Sequence, residues 1–98
     1  MRANRAFIHF SQCLTPSDFT GIDGGNQSPL VAALRDAALL SGSNLDFNVW
    51  GRGNDFMTLD SFNREVFTAA VGTLSLALVE EGENSYSLTR GTAQTEQQ

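Results

Sequence analysis

Two kinds of apolar periodicity alternate along this chain, and their order limits the folds that it can adopt. Ala6, Ile8 and Phe10 recur at every second residue, with Phe7 and His9 between them, which is the pattern of a β-strand. Later segments repeat their apolar residues at the three- and four-residue spacing of an amphipathic helix. The order of these segments therefore predicts a mixed α+β fold.

The first helix is predicted over residues 29–41. Ser28 is a good N-cap, Pro29 is favoured at the first helical position, and Gly42 suits the left-handed conformation that ends many helices. Its apolar stripe consists of Leu30, Val31, Leu34, Ala37 and Ala38. We expect this stripe to pack on a sheet.

Two further strands are predicted at residues 44–50 and 55–59. Leu45, Phe47 and Val49 alternate with polar residues, and the glycine-rich segment 51–54 between the two strands is typical of a turn. The two strands should therefore pair as a hairpin.

The region after residue 60 has two interpretations. Asp60 or Ser61 could cap a helix of about twenty residues, because apolar residues recur at helical spacing up to residue 79. In the competing interpretation the helix ends at Gly72 and residues 73–79 form a strand, because three leucines alternate there. We favour the long helix. A last strand is predicted at residues 85–90.

These elements predict a single-domain α+β fold over residues 1–91, a ferredoxin-like βαββαβ two-layer sandwich with both helices on one face. The alternative adds a C-terminal hairpin formed by residues 73–90. Residues 92–98 are expected to be a polar flexible tail. Eight apolar residues should share one core: Ala6, Ile8, Phe10, Leu34, Phe47, Val49, Val71 and Leu74.

Charge and cysteine content restrict the partners. The net charge is −5, and all six cationic residues are arginines, so a dense basic patch cannot form and direct nucleic-acid binding is not expected. No apolar run has the length of a membrane span, so we expect no membrane partner. The single cysteine, Cys13, excludes an internal disulfide and favours a cytoplasmic location.

The loop 13–28 is the first candidate binding segment. Asp18, Asp23 and Asn26 lie among glycines that could wrap the backbone around a ligand or simply form turns. The spacing of the acids does not match a calcium loop, and the segment 24–28 lacks the lysine of a phosphate loop. We therefore predict no metal and no cofactor.

No catalytic residue is assigned. Cys13 and His9 lie four residues apart, but no third residue is placed to orient the histidine, so a small core thiol is the simpler interpretation. Glu80, Glu81 and Glu83 are read as a solvated helix end. We therefore expect that the protein is not an enzyme.

The predicted hairpin tip is the second candidate binding segment. Trp50 and Arg52 belong to the residue types that dominate binding hot spots. Packing of Trp50 on a helix and pairing of Arg52 with Asp55 is the other interpretation, and it is the one that we favour slightly.

The leading functional expectation is a small acidic, non-catalytic protein-interaction module. It would be an inhibitor or adaptor of a basic partner such as a nucleic-acid-binding complex, as some phage-borne inhibitors are. The alternative is a small-molecule-binding regulatory domain that uses the loop 13–28 as a lid. An apolar open sheet face would also favour a homo-oligomer.

Overall fold

A five-stranded mixed sheet carries two helices on one of its faces. The computed structural model describes residues 5–49 and 54–91. Its elements are listed here in chain order: β1 (Ala6–Phe10), a short 3-10 helix (Pro16–Phe19), α1 (Pro29–Ser41), β2 (Leu45–Asn48), β3 (Phe56–Leu59), α2 (Arg64–Gly72), β4 (Leu76–Gly82) and β5 (Ser85–Arg90).

The strands lie in the order β2-β3-β1-β5-β4. β1 is antiparallel to β3, with Ile8 opposite Met57, and parallel to β5, with Ile8 opposite Tyr86. β2 pairs with β3, and β4 with β5, in antiparallel fashion. The hairpin predicted from residues 44–50 and 55–59 is therefore confirmed.

The α+β class is confirmed, but the ferredoxin-like order is wrong. That order would place a single last strand beside β1, whereas here β5 lies there, parallel to β1, and β4 lies outside it at the edge. The chain reverses between β4 and β5 through Glu83 and Asn84, and Asn84 takes a left-handed conformation with φ 58°. The extra C-terminal hairpin, the alternative interpretation, is thus what the chain forms.

The favoured long helix after residue 60 is also wrong. α2 begins after Asn63, whose side chain accepts a hydrogen bond from the Val66 amide, and not at Asp60 or Ser61. The helix ends at Gly72, and Ser75 then takes a left-handed φ of 59°. The reason is tertiary, because Leu76 and Leu78 are buried in the sheet only when this segment pairs with β5.

The first helix matches its prediction. Ser28 accepts a hydrogen bond from the Val31 amide at 3.2 Å, and Gly42 closes the helix with φ 67°. All five residues of its predicted apolar stripe are buried.

One hydrophobic core joins the helices to the sheet. Five of the eight predicted core residues are buried in it, namely Ala6, Ile8, Phe10, Leu34 and Val71, and the other three, Phe47, Val49 and Leu74, are partly buried against it. The predicted tail 92–98 and the hairpin tip 50–53 lie outside the described residues. Of the helices in the described parts of the chain, none is long and apolar enough to cross a membrane.

Candidate functional site

The C-terminal end of α1 exposes two adjacent leucines. Leu39 is 81% and Leu40 79% exposed, whereas the neighbouring Ala37 and Ala38 are buried. The two leucines fall outside the buried stripe of the helix, so they cannot turn towards the core. We call Leu39 and Leu40 the leucine pair.

A groove between α1 and α2 lies on one side of the leucine pair. Its volume is about 460 Å³, and Leu40 forms part of its wall. Small and apolar side chains dominate the rest of its lining: Ala33, Ala37, Val66, Ala69 and Ala70. Because alanine side chains are short, the two helices leave room for apolar groups of another molecule.

A second depression lies on the other side of the leucine pair, next to the edge strand β2. It has a volume of about 310 Å³ and is lined by Leu39, Ala38, Leu45 and the polar residues Arg35, Ser43 and Asn44. The leucine pair is therefore an apolar projection between two concave surfaces. Such an arrangement is typical of a surface that another protein covers.

The two helix arginines are held away from the groove. The Arg35 guanidinium lies over the Phe47 ring, 5.2 Å from its centroid, and donates a hydrogen bond to the Ile22 carbonyl. The Arg64 guanidinium lies 5.4 Å from the centroid of Tyr86 and 3.4 Å from a carboxylate oxygen of Glu80. Both cations therefore face the flanks of the helix layer.

Two carboxylates remain on the outer surface of the helices. Asp36 lines the groove, and Glu65 lies one helical turn before the groove residue Ala69 on α2. Both are exposed, and among residues 5–49 and 54–91 neither forms an ion pair. The groove is thus an apolar surface with an acidic border.

The three candidate residues of the loop 13–28, Asp18, Asp23 and Asn26, have different surroundings in the structure. Asp18 accepts a hydrogen bond from the Thr15 amide at 2.7 Å and lies 3.4 Å from the Arg90 guanidinium, so it holds the 3-10 helix against β5. Asp23 and Asn26 are exposed. No contact in the described structure brings the three side chains together into one site.

A shallow pocket nevertheless lies between this loop and β2. It has a volume of about 370 Å³ and is lined by Phe19, Gly21, Ile22, Asp23, Phe47 and Val49. Phe19 is anchored on Phe10, with ring centroids 4.8 Å apart. The loop is therefore fixed above the end of the sheet and contributes Asp23 to a concave surface that is partly polar and partly apolar.

Cys13 is exposed and surrounded by hydrogen-bond donors. Its Sγ lies 2.8 Å from Ser11 Oγ and 3.6 Å from Thr89 Oγ1, and it accepts a hydrogen bond from the Arg90 amide at 3.2 Å. Partial burial raises the pKa of the thiol, but the hydrogen bonds and the Arg90 charge outweigh it, so the pKa is lower than usual. The expectation of a buried core thiol is wrong, because the side chain lies on the surface beside β5.

The structure also shows where His9 and the three glutamates Glu80, Glu81 and Glu83 lie. His9 is exposed on the open sheet face, with its ring 6.1 Å from the Phe56 ring, and it is not among the partners of Cys13. Glu80 and Glu81 belong to β4 and Glu83 to the turn after it, so these acids do not form a helix end. Trp50 and Arg52 lie outside the described residues and stay predictions from the sequence.

Sequence reasoning missed the leucine pair and the role of Arg35. The signal for the leucines was present, because neither belongs to the stripe that predicted the buried face of α1. The position of Arg35 over Phe47 could not be found in the sequence, since it depends on how α1 crosses β2.

Comparison with known proteins adds no relative. No family model, no curated protein and no solved structure matches the chain.

Among the residues that the structure describes, no three side chains of His, Cys, Asp or Glu form a group that could hold a metal ion.

Proposed function

We propose that this chain is a small acidic, non-catalytic protein-interaction module, an inhibitor or adaptor, whose partner contacts the leucine pair on α1. The observation that carries the proposal is the near-complete exposure of Leu39 and Leu40 between two concave surfaces. Burial of a leucine side chain contributes about 1.5–3 kcal/mol, so a partner that covers both gains substantial affinity.

The charge of the chain supports a basic partner. A net charge of −5 attracts a positively charged protein over several ångströms and repels acidic ones. A nucleic-acid-binding complex is a class of protein with such a surface. We propose a cytoplasmic location for the encounter, on the basis of the single unpaired cysteine.

The test is quantitative capture from the host lysate by the immobilised protein and by the double variant Leu39→Ser/Leu40→Ser. We expect the variant to retain the fold, because both side chains are already exposed. We expect the double variant to capture at least tenfold less of the partner, which corresponds to a loss of about 1.4 kcal/mol in binding free energy. Phe7→Ser is the matched control, since Phe7 is an exposed apolar residue on the opposite, open face of the sheet.

Undiminished capture by the double variant would contradict the proposed contact surface. Loss of capture by Phe7→Ser alone would move the contact to the open sheet face, where Phe7 and Phe56 lie with ring centroids 5.9 Å apart. Circular dichroism of every variant distinguishes lost contact from lost folding.

The hairpin tip is tested in the same experiment. Arg52→Ala removes the cation that the sequence marks as a binding residue, and we expect about tenfold weaker capture if the partner also contacts the tip. Equal capture by this variant would remove Trp50 and Arg52 from the contact surface.

A small-molecule-binding regulatory domain is the second candidate function. The pocket lined by Phe19, Ile22, Asp23 and Phe47 favours it, because its volume of about 370 Å³ lies within the range of ligand sites. Thermal-shift screening with small cationic and aromatic metabolites would test it. A ligand whose stabilising effect disappears in Asp23→Asn, but not in Asp36→Asn, would favour this function over the first.

A further inference from the structure

The groove between α1 and α2 combines shape and charge in a way that specifies its occupant. Its lining consists of four alanines with Val66, Leu40, Asp36 and Thr73, so short side chains predominate on both helices. The lining residues span positions 33–40 on α1 and 66–73 on α2 and its C-cap, so the groove is about 10 Å long. Side-chain ridges of a third helix fit the grooves between two packed helices.

The charges beside this groove are all of one sign. Each helix carries one arginine and one carboxylate, and both arginines are held over aromatic rings on the flanks of the layer. Asp36 and Glu65 are left exposed and without an ion pair in the described part of the chain. A segment lying in the groove would therefore meet apolar contacts at its centre and negative charge at its border.

We propose that the groove binds an amphipathic helix of a partner protein, with apolar side chains on one face and lysine or arginine beside them. This inference rests on the proposed interaction function and names the element that the partner supplies. Its apolar residues, spaced three and four apart, contact Leu40, Val66 and Ala70, and its cations lie against Asp36 and Glu65. The groove residues span positions 33–40 on α1 and 66–73 on α2 and its C-cap, which corresponds to contact with about two turns of a bound helix.

A second copy of this chain is a poorer occupant. It would bring another Asp36 and another Glu65 against the same border, and the chain as a whole is negatively charged. Like charges facing each other across an interface are unfavourable. The groove therefore selects a partner of opposite charge.

The experiment measures binding of a synthetic 14-residue peptide by fluorescence anisotropy. The peptide has leucine on one helical face and lysine elsewhere. One control peptide has glutamate in place of lysine, and a second has the same composition with the leucines distributed around the helix. We expect saturable binding of the first peptide and at least tenfold weaker binding of both controls at low salt.

Variants of the protein locate the bound peptide. Leu40→Ser removes one part of the groove wall, and Ala69→Trp fills the groove from an exposed position, so each should weaken binding at least tenfold. The double variant Asp36→Asn/Glu65→Gln should weaken peptide binding several-fold and make the affinity less dependent on salt concentration. Asp46→Asn is the matched control, because it removes an exposed carboxylate that lies on β2 and not beside the groove. It should lower the affinity for the peptide only by the small amount that follows from one negative charge less on the protein.

Three results would overturn the inference. They are the absence of saturable binding, equal binding of the three peptides, and unchanged binding by Ala69→Trp. A concentration-dependent dimer in sedimentation, lost in Leu40→Ser, would show that a second copy occupies the groove. If the host partner requires the leucine pair while the lysine peptide does not bind, the interaction function stands and only its helical, basic occupant is wrong.

Discussion

Arg35 lies over the ring of Phe47, with its guanidinium carbon 5.2 Å from the ring centroid. This contact joins α1 to the edge strand β2, and the hydrogen bond from the same guanidinium to the Ile22 carbonyl adds the loop 13–28. One side chain therefore connects three successive segments of the chain. It also removes a positive charge from the outer surface of α1, which leaves Asp36 as the exposed charge of that helix.

Replacement of Arg35 by methionine should lower the free energy of unfolding by about 1–3 kcal/mol, because both the ring contact and a charged hydrogen bond are lost. Urea unfolding measures the change. Arg5→Met is the control, since the ion pair of Arg5 with Asp60 is largely exposed and should contribute less than about 1 kcal/mol. Equal effects of the two substitutions would show that Arg35 does not fasten the loop.

Leu34→Ala should lower the free energy of unfolding by about 2–5 kcal/mol, because Leu34 is completely buried in the core. Leu39→Ala, five residues further along the same helix, should change it by less than about 0.5 kcal/mol. Chemical denaturation of both variants tests the orientation of α1. A larger loss for Leu39 than for Leu34 would mean that the helix is rotated relative to the sheet.

Gly21→Ala should lower the free energy of unfolding by more than about 1 kcal/mol. Gly21 has φ +88°, and a Cβ atom there would collide with the backbone of Asn26 and Gln27. Gly25→Ala, in the same loop, is the control, because its Cβ would meet no atom within 4 Å. The comparison is made by thermal unfolding, and similar melting temperatures for the two variants would argue against the tight turn at Gly21.

The Cys13 thiol should react with iodoacetamide at lower pH than the same thiol in the denatured chain. Hydrogen bonds from Ser11, Thr89 and the Arg90 amide favour the thiolate and lower its pKa despite partial burial. Thr89→Val should move the pH profile of alkylation upwards, whereas Ser87→Ala, two residues earlier on β5, should leave it unchanged. An identical profile for the folded and denatured protein would contradict the assignment.

The same pKa change has a consequence for stability. Because the pKa of Cys13 is lower in the folded state than in the unfolded chain, the thiolate stabilises the fold at pH values above the unfolded pKa. That contribution is lost as the pH falls through the folded pKa. In Cys13→Ser the contribution is absent, so its free energy of unfolding should rise less between neutral and alkaline pH than that of the parent protein.

The sequence by itself determined the elements whose signals are local. Ser28, Pro29 and Gly42 delimit α1 because capping and backbone preference act within one turn of the helix, and the structure has the helix at those bounds. The alternation in residues 6–10 and 85–90 likewise predicts β1 and β5, since one face of each strand is buried. The sequence indicates that Asp23 lies in a loop. It does not show that Asp23 lines a pocket, because the pocket is completed by Phe47 of β2 and by Val49, which follows this strand.

The tertiary structure alone decided the segment 73–82 and the exposed surface. Leu74 and Leu78 fit both periodicities, and the strand prevails because β5 offers it hydrogen-bond partners and the core receives Leu76 and Leu78. The acidic border of the groove is also a tertiary property. It exists because the rings of Phe47 and Tyr86, which come from different strands, hold the two helix arginines at the flanks, while Asp36 and Glu65 stay exposed on the helices.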